Sequence, residues 1–481
     1  MPLQYTATPR GSGDAPGRHD PSLMNGASPR PRLAALLPLL VLGLLALLPP
    51  AAHAVPAYAR QTGQNCVACH AGGQFPELTP YGRFFKLTAF TTGNHVLPLS
   101  VMADFGLNKT RNTKSADPNS DFPEDSRLIF QDASLFLAGK ITDNLGVFAQ
   151  ATYDNYAEQK PDGHWSGHTS ADNMDFRYAD RLIDPSNDLI FGVTVNNNPS
   201  VEDVWNSSPA WGYPYSGGTF AITPAAAPLI TDGLGQQVAG AGVYALWNDT
   251  LYAAITGYRD ADGPFSFMSF GIDDADKVKL HGVAPYWRLA LTHQWGPHNA
   301  MIGTFGLLAD VYPDNTHTSG PTSRYRDIGF DAQYQYLLDP HTVTAQASYI
   351  TEKTDWASPL IGGDVSNASD KLRQLQFKGS YVYEGKYGAS LTYLDVTGSS
   401  DANLYPALDG GDPIPISGSA HNSPNTRVWI PELFYTPVQN LRVGLQYWDY
   451  ALYNGGSSNY DGAGRSAKDN NTLFLYAWLV Y

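Results

Sequence analysis

From residue 99 to the end of the chain, the sequence is built of short segments in which apolar and polar side chains alternate. In the segment 441–447 the alternate apolar residues are Leu441, Val443, Leu445 and Tyr447. In 371–383 the apolar positions are Leu375, Phe377, Tyr381 and Tyr383, and the polar positions include Gln374, Gln376, Lys378 and Ser380. Since successive side chains of a β-strand point to opposite faces, each segment predicts a strand with one apolar and one polar face. Such strands are typical of barrels that face lipid outside and a polar lumen inside.

Sixteen such segments can be placed in the sequence, and the connections between them alternate in length. The predicted strands are 99–108, 127–139, 144–153, 174–183, 188–196, 235–247, 250–259, 281–293, 299–310, 325–336, 341–352, 371–384, 386–396, 427–435, 441–450 and 471–481. Long connections, such as 109–126, 154–173 and 197–234, alternate with short ones, such as 140–143 and 184–187. Bacterial outer-membrane barrels have an even strand number, long outer loops and short periplasmic turns. A water-soluble sandwich has no reason to sort its loops in this way. The sequence therefore predicts an all-β fold, a transmembrane antiparallel β-barrel of about sixteen strands over 99–481.

The composition fits a barrel that is surrounded by outer-membrane lipid. Charged residues make up 16% of the chain, whereas about 25% is usual for a soluble globular protein. The 29 tyrosines and 10 tryptophans match the aromatic girdles found at both membrane interfaces. The formal net charge of −15 argues against nucleic acid as a partner, because binding to nucleic acid requires a positively charged surface.

The first 54 residues predict a secretory signal peptide rather than a part of the fold. Two arginines precede an apolar run from Leu33 to Leu48, and the small-residue site Ala52-His53-Ala54 follows. A positive flank, a short apolar run and a small-residue site together indicate export. Residues 1–23 show no such order, which leaves open that they are a spurious upstream extension and that Met24 is the true start. The mature protein is thus predicted to be exported to the bacterial outer membrane.

Cys66 and Cys69 are the only two cysteines of the chain, and His70 directly follows the second. This is the spacing of c-type haem attachment. Residues three apart share one face of a helical turn, so both sulfurs can bind one porphyrin as thioethers, with His70 as the proximal iron ligand. The alternatives are a short disulfide and a dithiol redox motif. The redox motif requires a βαβ surround that is missing here, and neither alternative explains the histidine. The sequence therefore predicts one covalently attached haem c.

Residues 55–98 form a small N-terminal unit around this motif. Pro80 predicts a helix that begins near Thr79, because proline is favoured at the first helical position. A unit of this size rarely builds a core by itself, so the haem must be supported by other parts of the chain. A barrel of sixteen strands leaves an aqueous lumen unless something fills it. We therefore predict that 55–98 is a c-type monohaem domain that plugs the barrel. It would lie on the periplasmic side or inside the lumen, since an even strand number leaves both ends of the barrel chain on that side.

Further haem contacts can be predicted only in outline. His95 and Met102 are the nearest downstream residues of the types that serve as a second axial ligand. The alternatives are a polar loop position for His95, an apolar strand position for Met102, a remote lumen ligand or an open site. Arg83 is the first candidate for contact with a haem propionate, ahead of Arg60 and Lys86, because a guanidinium group pairs with carboxylates through a planar fork. Salt bridges to carboxylates of the barrel wall would give the same sequence pattern.

Three stretches of the N-terminal unit resemble a known family. Ala59-Arg60-Gln61-Thr62-Gly63, the motif from Cys66 to His70, and the stretch 78–87 with the sequence LTPYGRFFKL resemble the fused outer-membrane monohaem cytochrome–porins of iron-oxidising bacteria. The resemblance in motifs covers about residues 57–90, and the chain length and sixteen-strand layout are similar to that family as well. It implies an electron-transfer protein that acts as a ferrous-iron oxidase. Extracellular Fe(II) would be the donor, and a periplasmic c-type cytochrome or another periplasmic carrier the acceptor.

Two other functions stay open at the level of the sequence. One is a diffusion porin whose haem serves structure or sensing. The other is a haem redox protein that uses another donor or acceptor, or that works outward as a reductase. Ion conductance separates the first of these from an electron-transfer protein, and donor-dependent haem reduction separates the second.

Overall fold

The structure is a computed structural model that describes residues 56–73, 76–114, 122, 124–160, 163–208, 219–271, 277–316 and 318–481. The predicted signal peptide, with its possible upstream extension, lies outside these residues. Within the described ranges, no helix is both long and apolar enough to cross a membrane.

The N-terminal unit contains three short α-helices. They are α1 (Ala57–Thr62), α2 (Cys66–Cys69) and α3 (Pro80–Leu87), with a 3₁₀ turn at Ala71–Gly73 between the last two. Helix α1 ends because Gly63 adopts the left-handed conformation, with φ 68°, which costs glycine little. Helix α3 begins at Pro80 because the hydroxyl of Thr79 accepts a hydrogen bond from the Gly82 N–H, as at a typical N-cap. The helix predicted to begin near Thr79 is thus confirmed.

Eighteen strands follow in the described chain. They are β1 (Leu99–Thr110), β2 (Ile129–Lys140), β3 (Leu145–Gln159), β4 (Trp165–Ile183), β5 (Asp188–Asn196), β6 (Val238–Trp247), β7 (Leu251–Asp260), β8 (Ala284–Trp295), β9 (His298–Val311), β10 (Ser323–Leu338), β11 (His341–Asp355), β12 (Ser369–Tyr383), β13 (Tyr387–Gly398), β14 (Leu408–Asp409), β15 (Asp412–Pro413), β16 (Thr426–Val438), β17 (Leu441–Leu452) and β18 (Thr472–Val480). Strands β14 and β15 form a separate hairpin, and the other strands form one closed antiparallel barrel. The prediction of sixteen barrel strands is confirmed.

The barrel closes where its first and last strands meet. Strand β18 pairs with β17 on one side and with β1 on the other, in a register that runs from Met102 opposite Val480 to Thr110 opposite Thr472. Both ends of the barrel chain therefore lie at the same rim, the one formed by the short turns. We call this the short-turn end and the opposite rim the long-loop end.

One predicted loop is wrong. The sequence indicated a long connection over 154–173, but β3 continues to Gln159 and β4 already begins at Trp165. His168 is thus an exposed strand residue. The prediction relied on alternating apolar and polar side chains, but a strand whose two faces both meet water can pair through its backbone without that alternation. This hairpin extends the wall at the long-loop end with polar residues on both faces, so the alternation that marks the other strands is missing.

The outer surface of the wall is apolar. On β16 the exposed side chains are Trp429, Leu433 and Tyr435, and Leu433 is 64% exposed. The apolar faces predicted for 371–383 and 441–447 also point outward, with Phe377 and Leu445 exposed and Gln374, Arg442 and Gln446 buried. Exposed apolar side chains around a closed barrel are stable in lipid, where the closed sheet leaves no unpaired backbone edge.

The inner surface of the wall is only partly polar. Apolar clusters interrupt it where other parts of the chain dock inside the barrel. Leu87 of α3 packs with Tyr244 and Tyr252 of the wall. The long connection between β5 and β6 contributes Ile230 and Leu234 to a second cluster, together with Tyr258, Tyr286 and Phe305. The uniformly polar lumen that the sequence suggested is therefore a simplification, because this lumen is filled by protein.

Candidate functional site

The three helices lie inside the barrel at its short-turn end. Their contacts reach inward-facing residues on strands all around the wall, near the short turns. The Tyr58 hydroxyl donates to the carbonyl oxygen of Val147 on β3 at 2.8 Å. The Tyr244 hydroxyl of β6 donates to the carbonyl oxygen of Leu87 at 2.9 Å. On the opposite side, Lys378 of β12 forms a salt bridge with Glu77. Residues of the wall therefore surround the unit, as expected for a unit too small to form a core by itself.

The Cys66–His70 turn is fixed against the start of α3. The Thr79 N–H donates to the carbonyl oxygen of Cys69 at 2.9 Å, and the Thr79 hydroxyl donates to the carbonyl oxygen of Ala68 at 2.6 Å. Gly82 lies so close that a Cβ there would overlap the carbonyl oxygen of Cys69. Thr79 and Gly82 thus position the motif, and sequence reasoning gave them no such role. Both cysteine thiols are free, so the motif forms no disulfide in this structure.

A cavity opens beside the two cysteines and the histidine. Its volume is about 230 Å³, and it is partly open to solvent. Its lining includes the aromatic side chains of Tyr58, Phe85, Phe90, Phe136, Phe148 and Trp478. A largely apolar space next to two thiols and an imidazole has the chemistry that a porphyrin needs.

The electrostatics of the motif also fit an iron porphyrin. Burial lowers the pKa of His70 to about 4, so its imidazole is neutral at physiological pH, and neutral imidazole is the form that binds metals. Burial raises the pKa of the Cys69 thiol to about 11. It also raises the pKa of the Cys66 thiol. The thiols are therefore neutral and placed against an apolar space. The residues present fit a c-type haem held by Cys66, Cys69 and His70.

Arg83, the residue predicted to contact a propionate, faces the barrel wall instead of the cavity. Its guanidinium donates to the carbonyl oxygen of Leu78 at 2.6 Å, to Asn299 Oδ1 at 2.6 Å and to Gln335 Oε1 at 3.2 Å. Burial lowers the pKa of Arg83 to about 9, which leaves the group charged at neutral pH. Arg83 therefore anchors the unit to β9 and β10, and its contact with a propionate stays a prediction.

The two side chains predicted as second axial ligands lie outside the cavity lining. His95 is exposed in the segment that leads into β1. Met102 points inward from β1 but is buried in a cluster with Phe136 and Trp478, behind the surface that lines the cavity. The structure brings neither of them next to His70, and their role as ligands stays a prediction.

Sequence reasoning missed the segment 197–208, which we call the inner loop. It starts at the long-loop end and turns into the lumen, where Val201, Asp203 and Asn206 line the cavity. The Lys86 ammonium of α3 donates to the carbonyl oxygen of Val201 at 2.5 Å. One signal could have indicated it, since a connection as long as the predicted 197–234 usually has a function.

Buried ion pairs fix the inner loop to the wall. Arg177 of β4 pairs with Asp175 at 2.8 Å and with Glu202 at 3.6 Å. Arg288 of β8 pairs with Asp203 at 3.2 Å. Removing one member of a buried ion pair is destabilising, so these pairs favour the docked position of the loop. In the described part of the chain, no three His, Cys, Asp or Glu side chains come together in a way that could hold a metal ion.

The closed sixteen-strand wall with an apolar exterior defines the class of this protein, an outer-membrane β-barrel of the porin type. No protein-family model and no curated protein matches the chain. The chain is similar to the solved structure of a loop-deletion variant of OmpT, an outer membrane protein of Vibrio cholerae, with 12% identity and a TM-score of 0.41, over 80% of this chain and 98% of that one. It is also similar to Salmonella typhi OmpF in complex with daunomycin, with 12% identity and a TM-score of 0.42, over 80% and 97% of the two chains. An anion-selective porin from Comamonas acidovorans shares 11% identity at a TM-score of 0.40, over 80% and 98%.

Proposed function

We propose that this protein transfers electrons across the bacterial outer membrane. It takes one electron from each extracellular ferrous ion, which becomes ferric, and passes it to a periplasmic c-type cytochrome or another periplasmic carrier. The path runs through one c-type haem attached to Cys66 and Cys69. One observation supports this proposal most directly. The Cys66–His70 motif opens into a mostly apolar cavity inside the lumen, at the end where the barrel chain begins and ends.

The residues of the chain serve this function by attachment, ligation and burial. Haem, when bound, supplies reversible one-electron chemistry. The two cysteines would attach it, and His70 would bind its iron. The aromatic side chains of the cavity would exclude water, and burial together with ligation would set the reduction potential. Since no proton needs to move, acid–base groups have no required part in the reaction.

Stopped-flow spectroscopy of the purified, oxidised protein tests the proposal. Ferrous iron is added without oxygen at acidic and at neutral pH, and the haem absorption bands are followed. We expect rapid reduction of the wild type and its loss in a His70→Ala variant. Dithionite serves as the control, because it reduces any intact haem. A haem that dithionite reduces and ferrous iron does not reduce at either pH would eliminate iron as the donor. It would favour a haem redox protein with another donor or acceptor.

A diffusion porin with a structural or sensing haem is the second candidate. The sixteen-strand wall favours it, because barrels of this size enclose an aqueous channel when nothing fills them. Planar-bilayer recording separates the two candidates. The electron-transfer proposal expects little conductance, since the helices and the inner loop occupy the lumen. A large, steady conductance in protein that carries its N-terminal unit would support the porin.

A further inference from the structure

The cavity offers His70 as one axial ligand, and its lining restricts what the second can be. Among the described residues that line it, besides the cysteines and His70, four carry an ionisable oxygen or nitrogen: Tyr58, Lys86, Asp175 and Asp203. Neither a methionine nor a second histidine is among the described residues of the lining. A second ligand from the cavity lining would therefore be one of these four side chains, and not His95 or Met102, which the sequence indicated.

The contacts of Tyr58 argue against it as the second ligand of the iron. Its hydroxyl donates to the carbonyl oxygen of Val147 at 2.8 Å. Its ring stacks on Phe90 at 5.2 Å between ring centroids and meets the edge of Phe85 at 4.9 Å. Turning the hydroxyl toward the cavity would break this bond and leave the Val147 carbonyl without it.

The two carboxylates are neutralised by the ion pairs that fix the inner loop. Asp175 accepts from the Arg177 guanidinium at 2.8 Å. Asp203 pairs with the Arg288 guanidinium at 3.2 Å and accepts from the backbone N–H of Ser207 at 2.8 Å. Turning either carboxylate toward an iron would break these buried contacts, which costs free energy.

Lys86 differs from the other three. It lies on the face of α3 that borders the cavity, together with Gly82 and Phe85. Its Nζ donates to the carbonyl oxygen of Val201 at 2.5 Å, while the nearest carboxylate oxygen, of Asp175, is 3.9 Å away. That distance is too long for a hydrogen bond. A neutral amine can keep the bond to Val201 through one N–H and still offer its lone pair to a metal.

We propose that Lys86 Nζ is the second axial ligand of the haem iron, opposite His70. This inference rests on the proposed function, because it requires a haem in the cavity. The Val201 carbonyl then acts as the partner that orients the ligand, as hydrogen-bonded neighbours do at other metal sites.

The inner loop gains a function from this assignment. It starts at the long-loop end and carries the carbonyl that orients the ligand, so a change in this loop can reach the iron through one hydrogen bond. The competing role for Lys86 is a charge contact, either with a propionate or with Asp175. That role needs only a positive charge, and arginine can supply it.

The test compares Lys86→Arg and Lys86→Ala with the wild type as haem-loaded protein. Lys86→Arg keeps the charge but removes the lone pair, because guanidinium stays protonated in proteins. Spin state is read from the absorption and electron paramagnetic resonance spectra of the ferric protein. We expect a low-spin, six-coordinate wild type without the weak red absorption band that a methionine ligand gives. Both variants should lose the low-spin signal and become high-spin.

Two control variants separate the ligand from its rivals. Lys140→Arg makes the same replacement at a lysine outside the cavity lining that pairs with Asp143, and its spectrum should equal that of the wild type. Met102→Leu removes the ligand candidate on β1 and should also leave the low-spin signal intact. Loss of that signal in Met102→Leu would overturn the assignment of Lys86.

The remaining outcomes distinguish this inference from the proposed function. A low-spin Lys86→Arg protein would show that only the charge matters and would overturn the ligand assignment. A high-spin wild type would overturn it as well. In both cases the covalent haem would still be present, and the proposed function would stand. A wild type without any covalent haem would overturn both.

Discussion

The barrel wall and the helical unit inside it are stabilised in opposite ways. Each wall strand is paired along its length with two neighbours, so its position depends on many equivalent backbone hydrogen bonds. The three helices are only 6, 4 and 8 residues long, and single side chains hold them. Arg83, Lys86, Glu77 and Tyr58 each make a contact with the wall or the inner loop. We therefore expect a single substitution in the unit to weaken its docking, whereas a single substitution in the wall should leave the barrel folded.

The ion pairs of the molecule also differ in how deeply they are buried. The wall carries exposed pairs such as Arg324 with Asp310, where the arginine side chain is 61% exposed. The pair between Glu77 and Lys378 is buried, with side chains 6% and 9% exposed. Exposed pairs contribute about 0–1 kcal/mol, whereas breaking a buried pair costs about 3–5 kcal/mol. Buried pairs also join strands of the wall, such as Arg442 with Glu432 at 2.7 Å, so we expect the costly losses at buried pairs in both regions.

The largest effect is expected from replacing both cysteines by alanine. Cys66→Ala/Cys69→Ala removes both attachment points, so covalent haem should be lost completely on a haem-stained denaturing gel. The wall does not depend on the thiols, so the unheated protein should still migrate as a folded barrel. A barrel that fails to fold in this variant would contradict the independence of the two regions.

The next largest effect is expected at Gly82. In Gly82→Ala the new methyl group would overlap the carbonyl oxygen of Cys69, so the motif must move and haem attachment should fall several-fold. The matched control is Gly379→Ala on β12, where a Cβ meets nothing within 4 Å, and attachment should stay unchanged. The measurement is the ratio of haem absorbance to protein. Equal ratios in the two variants would show that Gly82 does not position the motif.

The smallest of these effects is expected at Arg83. Arg83→Met leaves the buried oxygens of Asn299 and Gln335 without their donor, and docking of the unit should weaken by roughly 3 kcal/mol. Arg324→Met serves as the exposed control and should change stability by less than about 1 kcal/mol. Both variants are compared with the wild type by the urea midpoint at which the N-terminal unit becomes sensitive to protease. Equal midpoints would mean that Arg83 does not anchor the unit, and a changed haem spectrum would support its predicted contact with a propionate.

The fold was predictable because a lipid-facing strand needs an apolar residue at every second position. That rule located all sixteen barrel strands, and the prediction for β5, 188–196, agrees with the structure at both ends. It failed at the hairpin of β3 and β4, where both faces meet water and polarity carries no information about pairing. It also could not detect the apolar side chains inside the lumen, such as Tyr244 and Phe305, because their partners are distant in sequence.

The sequence by itself determined the features that depend on local spacing. These are the strand alternation, the sorting of loops by length, and the motif that places Cys66, Cys69 and His70 on one turn. Only the tertiary structure decided which side chains surround that motif. Arg83 faces the wall, Lys86 borders the cavity, and Val201 arrives from a loop more than a hundred residues away. The physical reason is that the barrel encloses its contents, so the neighbours of the motif are set by strand register and loop path rather than by distance along the chain.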